Sequence, residues 1–270
     1  MVVARSQIPI ISQAPAAGKL GLIMLAPVVR RILQPLRHTP LHPQWLLARP
    51  HEQALLDLKN LTGRVLDVGC ADRWVARVLD PACDYIGLDY PATGGALYRA
   101  KPDVFADAAS LPFSSESFDA VVMLEVMEHL RDPERTLRAL VRVLRPGGTL
   151  VLSMPFLYPI HDAPFDYQRL TGHGLERDLQ SAGLELNRLD RMGGALETAG
   201  LLTCLALAGG LIDALKAHSA RLAWAPLIVA TIPVVNLVAA LAQRLFPEWS
   251  GMSQGYWLVA KKPFVQSASR

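Results

Sequence analysis

The sequence predicts a doubly wound α/β sheet with an apolar helical insertion before its last strand. Three observations carry this. Two short apolar strands end in acids twenty-two residues apart, Asp67 and Asp89, with a glycine turn at Gly69 between them. Two further apolar runs, Ser117–Leu124 and Thr149–Ser153, flank a segment with helical spacing. A strongly apolar stretch, 190–255, then separates an alternating run, Leu184–Leu189, from a closing run, Tyr256–Lys261. Strands alternating with helices in this way read as parallel β-α-β units.

The first strand is the most informative element. In Arg64-Val-Leu-Asp-Val-Gly-Cys-Ala-Asp72 three apolar residues surround Asp67 and lead into the turn at Gly69. A residue without Cβ there lets the backbone approach a ligand closely. The second strand, Tyr85-Ile-Gly-Leu-Asp89, closes on a carboxylate that can accept hydrogen bonds from both hydroxyls of a ribose. Together they form the layout of a nucleotide-type cofactor site. The G-x-G-x-x-G triplet that seats a pyrophosphate on a helix N-terminus is absent, because Ala71, Asp72 and Arg73 follow the turn. An acid two residues before the glycine also suits a cationic ligand better than a pyrophosphate.

The remaining elements follow in order. A helix from about His51 to Asn60 leads into the first strand. Asp107-Ala-Ala-Ser-Leu-Pro-Phe113 reads as a loop, Ser117–Leu124 as a strand, and Glu125-Val-Met-Glu-His-Leu130 as the segment at its carboxyl end. Asp132 is a good N-cap, Pro133 suits the first helical position, and Glu134 favours the positive helix end. Leu137, Leu140, Val141 and Leu144 then make one apolar face. Arg145-Pro-Gly-Gly148 stops that helix before the strand Thr149–Ser153. A short helix around 174–182 is closed by Gly183, and Leu184–Leu189 alternates like a strand.

Taken together and in this order, these segments resemble the class I S-adenosylmethionine (SAM)-dependent methyltransferases with a type 11-like domain. The resemblance runs from about Arg64 to Gly194 and resumes near Gly255. It implies a seven-stranded Rossmann-like methyltransferase sheet, SAM as cofactor, and methyl transfer as the reaction. It implies that Asp67 sits near the methionine ammonium group, that Asp89 holds the ribose, and that Asp107 contacts the adenine amino group. Gly69, Ala71, Tyr90, Ala108 and Leu124 complete the expected cofactor site. The family often has further glycines where this chain has Ala71 and Arg73, so the Arg73 side chain is expected to point away from the cofactor.

The catalytic expectation centres on the carboxyl ends of the fourth and fifth strands. Glu125, Glu128, His129 and His161 gather there, and Glu125-x-x-Glu-His129 places the two acids one turn apart if the segment is helical. His129, His161 and Glu125 are the candidate catalytic residues. The same spacing occurs in the ubiquinone-biosynthesis O-methyltransferases and the plant-type small-RNA 2′-O-methyltransferases, where it binds a divalent metal with a further downstream histidine. That resemblance makes Glu125, Glu128, His129 and His161 candidate metal ligands and a divalent metal a candidate second cofactor. Two histidines with two carboxylates suit zinc, manganese or iron better than magnesium. The alternative is that Glu128 and His129 only cap the loop. Asp162, Asp166, Tyr167 and Arg169 are candidate substrate residues, with a salt-bridged loop as the alternative.

Domain organisation follows from composition. Residues 1–50 form an apolar and basic segment with a linker at Pro40, Pro43 and Pro50; 51–194 form the SAM-binding core; 195–250 form the apolar insertion; 251–270 form the last core strand and a tail. Hydrophobic residues make up 51% and charged residues 19%, and the apolar excess lies in the insertion. A net charge of +3 with no basic, aromatic-rich patch argues against a nucleic-acid partner. Cys70, Cys83 and Cys204 show no paired or zinc-type spacing, which fits a reducing compartment. The run Lys19–Val29, followed by Arg30 and Arg31, reads either as a membrane-surface segment or as a helix packed on the core.

Within the insertion, Ala199–Ile212 and Leu222–Ala242 carry no charge. The second is long enough to span a bilayer and the first is short for that purpose. Three readings stay open: a membrane-embedded or surface-bound hairpin, a soluble cap over an apolar pocket, and an oligomer interface. The expected function is SAM-dependent methylation, on oxygen, of a small-molecule or lipid- or glycan-linked acceptor. The expected location is cytoplasmic, peripheral or monotopic at a membrane. Rival readings are a carbon or nitrogen acceptor, and a membrane-tethered SAM-binding scaffold without catalysis.

Overall fold

The computed structural model describes residues 34–48, 52–98 and 101–264, so the run Lys19–Val29 and its following arginines lie outside the described residues. Seven strands form one mixed sheet: β1 Arg64–Val68, β2 Asp84–Asp89, β3 Val104–Phe105, β4 Phe118–Leu124, β5 Leu144–Pro155, β6 Glu185–Met192 and β7 Gly255–Lys261. Their order is β3-β2-β1-β4-β5-β7-β6. The first five run parallel, and β7 inserts antiparallel between β5 and β6. The strand order reverses between β1 and β4, where ligands bind in open α/β sheets.

Alternation along the strands sets the two layers. On one face Leu66, Val121 and Met123 pack against Leu137 and Leu140 of α2 (Pro133–Val143) and Leu175 and Leu179 of α3 (Gly172–Ser181). On the other, Val65, Ala120, Val122 and Val151 meet Ala54 and Leu58 of α1 (Glu52–Lys59) and Trp257 of β7. Leu140 is wholly buried, and truncating such a leucine to alanine costs about 2–5 kcal/mol. α2 begins as its sequence reads: Asp132 Oδ1 accepts from Arg135 N at 2.9 Å, with Pro133 at the first position. The segment from Arg145 to Gly148 bulges out of the β4–β5 ladder, which pairs Phe118 with Leu144 and resumes at Ala120 with Thr149. Strand pairing thus begins five residues earlier than the apolar run suggests.

Two long helices follow β6: α4 Ala195–Lys216 and α5 Ala225–Leu245, joined by a 3-10 turn at Ala220–Trp224. They pack as a hairpin, close enough at Gly200 that a Cβ there would meet the Ala239 Cβ at 2.4 Å. α4 extends four residues beyond each end of the uncharged run 199–212. Both helices are therefore long and apolar enough to cross a membrane, and the length objection to a two-helix hairpin falls.

Pro40 and Pro43 do not lie in a free linker. Residues 34–48 form a strap of turns, in which Pro43 and Leu46 are buried. Leu46 packs on Leu201, Ala239 and Ala240 of the hairpin. Asn236, fully buried midway along α5, donates through Nδ2 to Pro40 O at 2.7 Å and His42 O at 3.0 Å. Gln44 Nε2 donates to the Tyr158 hydroxyl at 2.6 Å, tying the strap to the loop after β5.

Candidate active site

A cavity of about 1090 Å³ opens at the carboxyl edge of the sheet, above the switch point. Gly69, Ala71, Asp89, Tyr90, Asp107, Ala108 and Leu124 line one side of it, and Glu125, His129, Asp162 and Tyr167 also reach it. Sequence reasoning missed several lining residues: Arg37, His38 and Leu47 from the strap, Ser153 from β5, Met192 and Trp257 from the far strands. Nothing in their local sequence marks them, because the strap, β5 and the far strands β6 and β7 reach the cavity only through long-range packing.

The glycine turn is built as its sequence requires. Gly69 has φ 77°, and a Cβ there would strike Val126 Cγ2 at 2.3 Å. The same turn forces Ala71 and Arg73 into left-handed conformations, with φ 43° and 60°. Arg73 leaves the cavity. Its Nη1 donates to Asp103 at 2.9 Å and Lys101 O at 3.2 Å, and its guanidinium lies 4.9 Å from the Tyr85 ring centroid. Asp89 closes the turn from β2: Oδ2 accepts from Ala71 N at 2.9 Å and Oδ1 from Tyr90 N at 2.8 Å. Each carboxylate oxygen keeps a lone pair for a further donor. Asp107 N-caps a short turn by accepting from Ala109 N at 2.8 Å.

Asp67 departs from its expected place. It is 2% exposed, is not among the residues lining the cavity, and accepts from the Tyr85 hydroxyl at 2.7 Å. β1 turns its side chain toward the α1 face, under the turn. Burial pushes its carboxyl up to about 7, against the opposing effect of the Tyr85 hydrogen bond. Cys70, inside the turn, is buried, and desolvation pushes its thiol up to about 12, so it stays protonated and is no nucleophile.

At the end of β4, Glu125 and Glu128 do not share a helix face. Glu125 has φ 54°, and only Met127–His129 forms a single 3-10 turn. The Glu125 side chain swings toward β5, where Ser153 Oγ donates to its Oε1 at 2.6 Å. It opens onto the cavity, yet the protein packed around it, and then the Glu128 charge, hold its carboxyl well above the usual carboxylate range. Glu128 is 0% exposed, and neither carboxylate oxygen has a hydrogen-bond partner. His129 Nε2 and His161 Nε2 each stand 3.6 Å from Glu128 Oε1, and the two rings pack edge-on at 4.9 Å.

The opposite ring nitrogens are engaged. His129 Nδ1 lies 2.9 Å from Phe165 O, and His161 Nδ1 lies 3.3 Å from Asp166 Oδ2. Donation from His129 Nδ1 would leave its Nε2 lone pair on the Glu128 side, whereas His161 Nδ1 also has the Arg169 guanidinium at 3.5 Å. Asp166 is itself clamped by Arg169, whose guanidinium holds its carboxyl down to about 2. The partners of His161, chiefly Glu128, raise its pKa. Asp166, Arg169 and His161 thus brace the site from behind and do not line the cavity, while Asp162 and Tyr167 do. Among the described residues, Glu128, His129 and His161 bring three ligand atoms within 4.8 Å of one another; Glu125 is not one of the three.

A family model described as a methyltransferase domain matches residues 44–201. A Mycolicibacterium smegmatis protein named probable S-adenosylmethionine-dependent methyltransferase is 36% identical over 159 residues, covering 55% of this chain and 61% of that protein. The phthiotriol/phenolphthiotriol dimycocerosates methyltransferase of Mycobacterium leprae is 39% identical over 105 residues, covering 35% and 38%. The 27-O-demethylrifamycin SV methyltransferase of Amycolatopsis mediterranei is 32% identical over 146 residues, covering 45% and 54%. The chain therefore matches less than two thirds of the length of each. A chain from the complex of the Haloferax volcanii Trm112 methyltransferase activator with a methyltransferase shares the fold, at 16% identity and a TM-score of 0.50 over 91% of this chain and 98% of that one. With more than half of its residues matched by that family model, and the sheet order and glycine turn in place, the chain belongs to the methyltransferase-domain family.

Proposed function

We propose that the protein transfers the methyl group of SAM to an oxygen of a small-molecule or lipid- or glycan-linked acceptor at a membrane surface. The observation that carries this reading is the single cavity in which Asp89 and the Gly69 turn face the same space as Glu125 and His129. Its volume of about 1090 Å³ exceeds the usual range for one small ligand, leaving room for a cofactor and an acceptor. The named substrates of the M. leprae and A. mediterranei relatives, a mycocerosate lipid and a rifamycin, favour an acceptor of this class.

Bound SAM supplies an electrophilic methyl group, so the protein has to align the acceptor and take its proton. Asp89 has lone pairs free for ribose hydroxyls, and Asp107 stands on the adenine side. Asp67 acts at one remove, by holding the floor of the turn through Tyr85. His129, with Nδ1 on the Phe165 carbonyl, presents Nε2 as a proton acceptor. Ser153 fixes Glu125, and Tyr167, bonded by Arg131 at 3.0 Å, borders the acceptor end beside Asp162.

A second reading is favoured by the unpartnered Glu128 carboxylate. Two imidazole nitrogens and a buried carboxylate converge with no donor between them, and hydrogen bonds orient both rings from behind. Metal-binding histidines are commonly held in this way. Glu128, His129 and His161 would hold a divalent ion of the zinc, manganese or iron type, which would bind and polarise acceptor oxygens.

One experiment separates these readings. SAM binding is measured by calorimetry, and SAM turnover to S-adenosylhomocysteine is then followed with fractionated lipid extract, with and without a chelator. Turnover that vanishes with chelation and returns with one particular ion supports the metal. Turnover indifferent to chelation, and lowered about 10²–10⁴-fold by His129→Ala with SAM affinity kept, supports the base. Binding without turnover on any extract supports the scaffold reading, and no SAM binding ends all three.

A further inference from the structure

An unbroken apolar stripe runs along the outer face of α5. Leu227, Ala230, Val234, Leu237, Leu241 and Leu245 recur every three or four residues, and all six are exposed. The four leucines and Val234 are each more than half exposed. The stripe covers nineteen residues, and its eighteen steps span about 27 Å at the rise of an α-helix. The opposite face of α5, with Ile232, Asn236, Ala239 and Ala240, is buried. α4 differs: its exposed positions include Ala199, Thr203, Ala206 and Gly210, which are small.

Both ends of the stripe carry the same kind of residue. Trp224 stands at one end and Phe246 and Trp249 at the other, each more than 60% exposed. Arg221 and Arg244 are exposed beside them and make no ion pair among the described residues. The nearby acids are engaged elsewhere, Asp213 with Lys216 and Glu248 with Arg191. Amphipathic aromatics and uncompensated cations bordering an apolar stripe complement an anionic lipid surface.

The strap decides how such a surface is met. Asn236 lies nine residues from the end of α5, about 14 Å along the axis. In a hairpin that crossed the bilayer it would sit near the midplane, and with it Pro40 and His42, which it binds. The non-helical backbone of the strap, with exposed Arg37 and His38, would then lie in hydrocarbon. Lipid-exposed irregular backbone is not tolerated there. An orientation with α5 lying along the membrane keeps the strap and catalytic domain on the water side and places the whole stripe in lipid.

We propose that the hairpin docks in the plane of an anionic membrane surface through this stripe of α5 and does not cross the bilayer. This rests on the membrane-surface reading above and adds the face and the orientation. The strap, which packs on the buried face of α5 and lines the cavity through Arg37, His38 and Leu47, then links the lipid-facing helix to the cavity.

The test uses the full chain with vesicles containing phosphatidylglycerol. The protein is expected to float with them, and Leu237→Glu/Leu241→Glu to reduce the bound fraction at least about tenfold, with SAM affinity unchanged as evidence of folding. A His218→Cys variant, labelled at the hairpin tip with a membrane-impermeant maleimide, is expected to react fully with vesicles intact; a variant without that substitution gives the background from Cys70, Cys83 and Cys204. Flotation with a tip that reacts only after the vesicles are opened would overturn the in-plane orientation while leaving the membrane reading intact. No flotation would overturn both, and a soluble dimer broken by the Leu237→Glu/Leu241→Glu variant would assign the stripe to a second copy of the chain.

Discussion

Ala71 and Arg73 stand where the backbone asks for glycine, and the chain keeps the conformation regardless. A non-glycine residue in the left-handed region costs about 1–2 kcal/mol. At Arg73 the hydrogen bond to Asp103 and the stack on Tyr85 help hold that conformation. The turn's purpose is served by Asp89, which binds Ala71 N from the next strand. Asp89→Ala is therefore expected to weaken SAM binding by about 1.5–3 kcal/mol, as seen by calorimetry. Asp67 supplies a second prediction. Its carboxyl is raised from 3.8 to about 7 in the folded protein, so the folded state binds that proton more tightly than the unfolded chain. The resulting stabilisation is complete below about pH 4 and is lost as pH rises through 7. Denaturant midpoints measured across that window should fall with rising pH in the wild type, and the Asp67→Asn profile should be flatter. Equal slopes would remove Asp67 as their source. That Gly69, Asp89 and Asp107 come to one cavity was legible because each ends or follows a strand at a fixed offset. The burial of Asp67 was not, because the face a side chain takes depends on Tyr85 in the neighbouring strand.

At the scale of elements, local signals succeeded where local chemistry decides. Asp132 and Pro133 start α2, and Gly183, with φ 88°, follows the end of α3. The Glu125–His129 segment misled, because its spacing has meaning only on a helix. A positive φ at Glu125 and a single 3-10 turn send the two acids different ways. Pro40, Pro43 and Pro50 suggest a linker because prolines carry no periodicity, yet residues 34–48 form an ordered strap. Their order comes from Asn236, which lies 196 residues from Pro40 in the chain. Replacing Asn236 with leucine would leave the carbonyls of half-buried Pro40 and His42 without that donor. It should lower stability by about 1–3 kcal/mol in urea unfolding. Because Gln44 holds Tyr158, whose ring packs edge-on against His161 at 5.4 Å, the same variant should also reduce turnover more than SAM affinity. Unchanged unfolding and turnover would mean that the strap is held by packing alone.

For the whole molecule, the seven-stranded sheet and the insertion before its last strand were both legible from strand spacing and the family resemblance. The site is less so, because its acceptor half is assembled from the strap, the ends of β4 and β5, the loop carrying Asp162 and the far strands β6 and β7. On the proposed function, the cavity at the switch point moves a methyl group from SAM to an acceptor carried by or near a lipid surface. The most direct measurement incubates the full chain with methyl-labelled SAM and vesicles made from total lipid extract, then follows the label. The account predicts label in a lipid-soluble or lipid-linked product, matched by S-adenosylhomocysteine, with Asp89→Ala much slower at limiting SAM. Tight SAM binding with no label transferred to any fraction, lipid or aqueous, would contradict it.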